Sequence, residues 1–277
     1  FKNYKIRSIL AMTWIFLNKK DDDNYIDRFA RGCGVEPTNL ESWNYEDNNN
    51  LLVIRGIMKH KIIKRCWKDQ RPFFYFDSGY FGNRRGPLNP HGAKIWNRIV
   101  FNDLQHNEII PRPPDRWQRM AIALKRRNKG SKIIVAAPDE KPCVFYGIDL
   151  QQWITDTVME IKKYTDREVV VRQRTLSRQA RNHDTLEQAL SDAHALVTYN
   201  SIAATESVIA GVPTFVLAPC NAARPVSNKD LSMIDNPWWP EEELRYEWVK
   251  HLAYGQFHYK ELENGRAMKI LKDTYNV

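Results

Sequence analysis

The sequence predicts an α/β protein of two domains, with a parallel sheet in its second half and a helical tail. Three observations lead there. Between Lys132 and Ala218, short apolar runs alternate with helix-like spacings, the pattern of βαβ units. The proline-dense run Pro111-Arg-Pro-Pro-Asp115 stiffens the chain and breaks both element types, which marks a linker. Pro240 followed by Glu241, Glu242 and Glu243 is a helix start, with acids against the positive helix end. These features divide the 277 residues into 1–128, 129–240 and 241–277.

In the first part, strand-like runs occur at Ser8–Thr13, Leu51–Arg55, Phe73–Phe76 and Lys94–Phe101. The apolar stretch Ile9–Leu17 is short, with no small-residue cleavage pattern after it, and reads as a buried strand rather than a signal peptide. Helices are expected at Asn24–Arg31 and Arg116–Arg127, and loops at Glu46–Asn50 and Gly79–Gly92. In the second part the expected order is strand Lys132–Ala136, helix Leu150–Lys163, strand Glu168–Arg172, helix Leu186–Ala193 capped by Asp184, strand Ala195–Tyr199, helix Ile202–Ala210 and strand Thr214–Leu217. The tail carries a stripe of Leu244, Trp248 and Leu252, then a second helix over Tyr259–Leu271 that Gly265 weakens.

Composition narrows the class. A hydrophobic fraction of 43% with 27% charged residues is globular. No run reaches the ~18 apolar residues of a membrane span. Four cysteines, Cys33, Cys66, Cys143 and Cys220, lie far apart, which fits reduced thiols in a cytoplasm and argues against a zinc knot. The histidines have no metal-ligand spacing, so no metal site is expected. A net charge of +9 points to an anionic partner. Arg84, Arg85, Arg98, Arg126 and Arg127, interleaved with aromatics such as Tyr80 and Phe81, concentrate that charge before residue 130. A solvated basic face is the ordinary alternative. Neither a Walker loop nor a G-x-G-x-x-G occurs, which disfavours kinases and dehydrogenases.

Open parallel sheets bind ligands beyond the carboxyl ends of their strands. The segment Thr198-Tyr-Asn-Ser-Ile-Ala-Ala-Thr-Glu206 places a strand end, a capping Ser201 and small residues there, so the amides of Ile202, Ala203 and Ala204 are expected to face a phosphate, beside Asn200. Gly211 closes the helix and Pro213 stops it. Glu206 is expected on the inward side with Ile202 and Ile209; it meets either a ribose diol or an arginine at the core edge. Arg172 and Arg174 end the preceding strand, and either reaches a diphosphate or lies on the surface. Pro138 begins a rim turn. In the first part, Asp77 ends the aromatic run Phe73-Phe-Tyr-Phe76. It is either a general base with a raised pKa or the first residue of a turn.

The stretch Val197–Ser201 through Glu206, Gly211 and Pro213 resembles the nucleotide-sugar signature of GT-B glycosyltransferases, in the form found in capsular polysaccharide transferases. The run Phe76-Asp-Ser-Gly-Tyr-Phe81, with Gln256–Gly265, is similar to bacteriophage-encoded relatives. The resemblance implies a GT-B-like fold of two facing Rossmann-like domains, the first reduced: 1–128 for the acceptor, 129–240 for the nucleotide-sugar, and 241–277 as helices packing back. It implies that Ser201 and its neighbours hold the diphosphate, Glu206 the ribose, and that Asp77 deprotonates the acceptor. It implies no cofactor beyond a UDP-type nucleotide-sugar co-substrate and no bound metal, with leaving-group charge met by helix termini and arginines. UDP-sugar epimerases share the fold and a similar glutamate.

Three functions follow as expectations. The favoured one is transfer to a hydroxymethylated pyrimidine in double-stranded DNA, by a monomer in the host cytoplasm, with the target base flipped out. The second is transfer to a surface polysaccharide or lipid-linked sugar. The third is a non-catalytic nucleic-acid-binding module.

Overall fold

The computed structural model describes residues 13–18, 24–47, 50–83, 89, 94–173 and 185–277. In chain order the first strands are β1 (Trp14–Asn18), β2 (Thr38–Asn39), β3 (Leu51–Arg55), β4 (Phe73–Ser78) and β5 (Trp96–Phe101). The next are β6 (Lys132–Ala136), β7 (Val169–Arg172), β8 (Ala193–Thr198), β9 (Thr214–Val216) and β10 (Gln256–His258). The helices of the first half are α1 (Asn24–Gly32), α2 (His60–Asp69) and α3 (Asp115–Arg119). Then come α4 (Glu140–Tyr146), α5 (Leu150–Lys162), α6 (Leu186–Ser191), α7 (Ala203–Ile209), α8 (Glu242–Tyr254), α9 (Tyr259–Glu263) and α10 (Arg266–Tyr275).

The chain forms two compact units, residues 1–104 with 253–277, and residues 105–252. The first holds a six-stranded sheet in the order β10-β5-β4-β3-β1-β2. β2, β1, β3 and β4 run parallel, whereas β5 and β10 are antiparallel. Aromatics dominate its core: Phe29 of α1 meets Phe16 edge-on at 5.1 Å, and Trp14 lies 5.0 Å from Phe74. Such contacts add to simple burial because the ring edge and face carry opposite partial charge. Helix α9 closes on α1 at Gly32, where a Cβ would lie 1.8 Å from the Leu262 carbonyl oxygen. The tail pattern expected as one helix over 259–271 is α9 and α10, separated because Gly265 takes a φ of 77°.

The second unit is a four-stranded parallel sheet ordered β7-β6-β8-β9. Successive residues of a strand point to opposite faces. Ile133, Val135, Ala195, Val197 and Phe215 pack with Ile161 of α5 on one face. Ile134, Ala136 and Leu196 pack with Leu190 of α6 and with Val212 on the other. Both faces are covered, as parallel sheets require. Thr185, rather than Asp184, caps α6, in a reciprocal capping box with Gln188; Asp184 lies outside the described residues.

Three expectations change here. The helix expected over 116–127 ends at Arg119, because Ala121 adopts a φ of 50° and the chain then runs extended. Its amides find partners in the second unit: Lys125 N–H donates to Ile209 O at 2.9 Å and Asn128 N–H to Gly211 O at 2.6 Å. The boundary expected at 128 therefore falls inside the second unit, which begins at Gln105. The tail also divides, with α8 staying in the second unit as far as Leu252 and the remainder returning to the first. No helix among the described residues is long and apolar enough to cross a membrane.

Candidate functional site

In the second unit the chain leaves β6, passes through α5 on one face and enters β7; it then leaves β7, passes through α6 on the opposite face and enters β8. Because β6 lies between β7 and β8, the connections part on either side of the sheet at the β6–β8 pair. That is the topological switch point, where the loops at the carboxyl ends diverge and leave a crevice. Thr198 ties its floor together, donating its hydroxyl to the Ala136 carbonyl at 2.7 Å. Pro138, buried, follows on the β6 side. Tyr199 follows β8, with its ring 5.2 Å from Tyr146 and 6.5 Å from Trp153, and burial raises its hydroxyl pKa.

The segment Asn200–Ala203 is fixed from several sides. Asn200 is buried, and its carbonyl accepts from Gln105 Nε2 at 2.8 Å. The Ser201 carbonyl accepts from the buried Asn221 Nδ2 at 3.2 Å. Ser201 Oγ accepts from the Ala203 amide at 3.2 Å, but the N-cap position of α7 is Ile202, one residue later than expected, and it carries no side-chain cap. The expectation that the amides of 202, 203 and 204 all face outward is corrected: Ala203 N–H donates to Ser201 Oγ, and Ala204 N–H donates to Ser201 O at 3.1 Å. The amides of Ser201 and Ile202 meet no acceptor among the described residues.

Glu206 is half-buried, and Ile202 and Ile209 share its side of α7 as expected. That side is not the inward one. The helix buries Ala204, Thr205, Ser207 and Val208, which places Glu206 on the opposite side from Ala204 and Val208. A half-exposed carboxylate keeps much of its hydration, so the steep cost of an isolated buried acid does not arise. Arg172 is half-buried at the end of β7, where its carbonyl accepts from Ala137 N–H at 3.0 Å. Arg174 lies outside the described residues.

In the first unit Asp77 is part of β4, not of the following turn, and it pairs in register with Arg98 of β5. Its Oδ2 accepts from the Tyr75 hydroxyl at 2.6 Å and lies 3.4 Å from Arg98 Nη2, while Oδ1 accepts from the Ser78 amide at 2.7 Å. Burial alone would push the carboxyl up. Arg98, the Tyr75 hydroxyl, the Ser78 amide and Arg55 outweigh it, holding Asp77 below the usual carboxylate range. The raised pKa expected from low polarity is thus reversed.

The basic and aromatic residues expected at an acceptor surface divide differently. Arg98 is buried, donating to the Leu104 and Ser78 carbonyls and lying 5.6 Å from the ring centres of Tyr75 and Tyr80. Tyr80 and Phe81 are also buried, and both of their amides donate to Gln256 Oε1. These three build the core of the first unit instead of lining a surface. Arg126 and Arg127 are exposed. Their segment pairs with Gly211 and Ile209, just before β9, so they sit at the amino-end edge of the parallel sheet, opposite the crevice. Arg84 and Arg85 lie outside the described residues. Among the described residues no cluster of three or more His, Cys, Asp or Glu side chains is placed to hold a metal ion.

The sequence reading missed Gln105 and Asn221, and it placed Trp248 in the apolar stripe of the tail without foreseeing its hydrogen bond. Trp248 Nε1 donates to Ala222 O at 2.6 Å, and Asn221 Oδ1 accepts from Ala223 N–H at 2.8 Å. Gln105 and Asn221 are lone polar groups, with no periodicity or spacing that marks them.

Fold and crevice together define a mixed α/β protein with parallel sheets flanked by helices. No family model and no curated protein matches the chain. Among solved structures it is similar to a β Kdo 2,7 transferase of Thermosulfurimonas dismutans KpsC, at a TM-score of 0.52 and 11% identity, over 95% of this chain and 99% of that one. It is also similar to the β Kdo 2,4 transferase of the same KpsC, at a TM-score of 0.50 and 10% identity, over 88% and 91% respectively. At these identities the likeness is one of fold.

Proposed function

We propose that this chain is a glycosyltransferase of the GT-B type, with two Rossmann-like domains, moving a sugar from a nucleotide-sugar to a hydroxyl of a surface or capsular polysaccharide. The observation that carries the reading is the crevice between the ends of β6 and β8, with two amides at its rim, Ser201 and Ile202, that meet no described acceptor. An anionic phosphate satisfies such donors, and the fixed backbone needs no reorganisation to receive it. Likeness in fold to two Kdo transferases supports the same class and favours a saccharide acceptor.

In this reading Ser201 and Ile202 hold the phosphate, Arg172 adds positive charge, and Glu206, on the half-exposed side of α7, accepts from the ribose hydroxyls. The acceptor oxygen bonds to the anomeric carbon, and the bond from that carbon to the phosphate oxygen breaks with its electron pair leaving on the nucleotide. Asp77 takes the acceptor proton in this reading; its low pKa keeps it ionised but makes it a weak base, so the proton moves only as the new bond forms and acidifies the acceptor oxygen. A hydroxymethylpyrimidine acceptor in DNA draws less support, because Arg98, Tyr80 and Phe81 are core residues and Arg126 and Arg127 lie at the far edge of the sheet.

The test is a mass-spectrometric donor screen with saccharide acceptors in one arm and hydroxymethylcytosine or hydroxymethyluracil DNA in the other. Transfer to saccharide alone is expected, and transfer to DNA alone would reverse the choice of acceptor. Glu206→Ala is expected to weaken donor binding about tenfold, the scale of one or two charge-assisted hydrogen bonds. Asp77→Asn is expected to retain donor binding and lose turnover. Normal turnover in both variants contradicts the site assignment.

A further inference from the structure

The chain passes between its two units at Leu104–Gln105 and again at Leu252–Ala253. Gln105, the first residue past the first passage, is buried at 4% exposure. Its side chain spans two loops: Nε2 donates to the Asn200 carbonyl at 2.8 Å, and Oε1 accepts from the Ala222 amide at 3.0 Å. Its backbone carbonyl lies 3.6 Å from the Cys220 thiol, a second tie to the loop after β9. The second passage is joined to the same place, through Trp248 Nε1 on Ala222 O and the edge-on contact of His251 with His106 at 5.1 Å. The loops after β8 and β9 are therefore held by the chain segments adjoining the passages.

We infer that Gln105 is a positioning residue for donor binding, setting the Asn200 carbonyl and with it the Ser201 and Ile202 amides. The inference rests on the donor reading above. The Gln105 amide donates through Nε2 and accepts through Oε1 at once, at any pH. Replacing it by Glu keeps an acceptor for Ala222 but presents the Asn200 carbonyl with a second acceptor until the carboxyl is protonated. Burial raises a carboxyl pKa, so protonation falls within reach of ordinary buffers.

The experiment compares wild type, Gln105→Glu and Gln105→Leu by calorimetric titration with a panel of ribonucleoside mono- and diphosphates at pH 8 and pH 6, with amide hydrogen exchange in parallel. For Gln105→Glu, nucleotide affinity is expected to fall about tenfold at pH 8 and to recover at pH 6, the loss expected when one buried hydrogen bond is left unmade. Exchange is expected to quicken at residues 199–204 and 220–223 while staying slow in β6. If Gln105→Leu does not fold, Gln105→Glu carries the test alone. Wild-type affinity in Gln105→Glu at pH 8 overturns the inference and leaves the donor reading intact. If wild type binds no nucleotide, the donor reading fails; exchange then decides whether Gln105 fixes the loops, and unchanged exchange overturns that too.

Discussion

The two units hold sheets of six and four strands, and these differ in character at their strand ends. In the second unit every pairing of the sheet is parallel, so the carboxyl ends of β6 and β8 lie side by side and their loops open outward together. In the first, β5 runs antiparallel to β4 and brings Arg98 directly opposite Asp77. A parallel neighbour leaves a strand-end polar group for a ligand, whereas an antiparallel one supplies a partner from within the fold. Asp77 thus carries its own cation, while the Ser201 and Ile202 amides after β8 meet no acceptor among the described residues.

Four measurements sharpen or break that contrast, taken from the largest expected effect downward. Gly211 has a φ of 86°, and a Cβ there would lie 2.0 Å from the Arg126 carbonyl oxygen. Gly211→Ala is expected to cost on the order of 4 kcal/mol in denaturant unfolding, with loss of structure confined to the second unit. Unfolding of both units together would show that they are not separate cooperative bodies.

The second is the pH at which each unit softens. His251 is fully enclosed with neither ring nitrogen hydrogen-bonded, and burial followed by Arg112 lowers its pKa to about 4. Its folded pKa lies below its unfolded one, so the unfolded chain binds more protons between those values. Stability is complete above the ordinary histidine pKa of about 6.5 and declines as pH falls toward 4, by roughly 3 kcal/mol in all. His251→Met should abolish that slope in acid-unfolding curves. Asp77 has a depressed folded pKa as well, but its contribution is present above the ordinary aspartate pKa of about 3.9 and is lost only as pH falls further. The second unit should therefore soften first as acid is added.

Third, Asp77→Asn removes the ionic partner of buried Arg98 and is expected to cost about 1.5–3 kcal/mol in thermal unfolding, the scale of hydrogen bonds to a charged group. No loss would mean that Asp77 is held for chemistry rather than for the fold. Last, Ser201→Ala removes the Ser201 Oγ bond to the Ala203 amide and is expected to cost about 1 kcal/mol in chemical denaturation.

Legibility from sequence followed the same division. The second unit could be read almost element by element, because buried parallel strands such as Lys132–Ala136 are continuous apolar runs bounded by helix signals. The first unit gave up β3, β4 and β5, but α2 escaped, since its Lys- and Arg-rich face hides two buried residues, Ile63 and Cys66. The helix expected over 116–127 failed because long-range bonds to Ile209 and Gly211 outcompete local propensity. At the site, the bond from the Ala203 amide to Ser201 Oγ was legible from local pattern, although the N-cap itself falls on Ile202. Glu206 was assigned the wrong side of α7, because spacing identifies which residues share a face without saying which face is buried. Gln105 could not be found at all: its two partners lie 95 and 117 residues away in sequence.

A structure of the protein with a bound nucleotide diphosphate is the most direct trial of the donor crevice. Phosphate oxygens within hydrogen-bond distance of the Ser201 and Ile202 amides, with the ribose beside Glu206, are the expected result. A nucleotide bound against Arg126 and Arg127, or on the first unit alone, would contradict it.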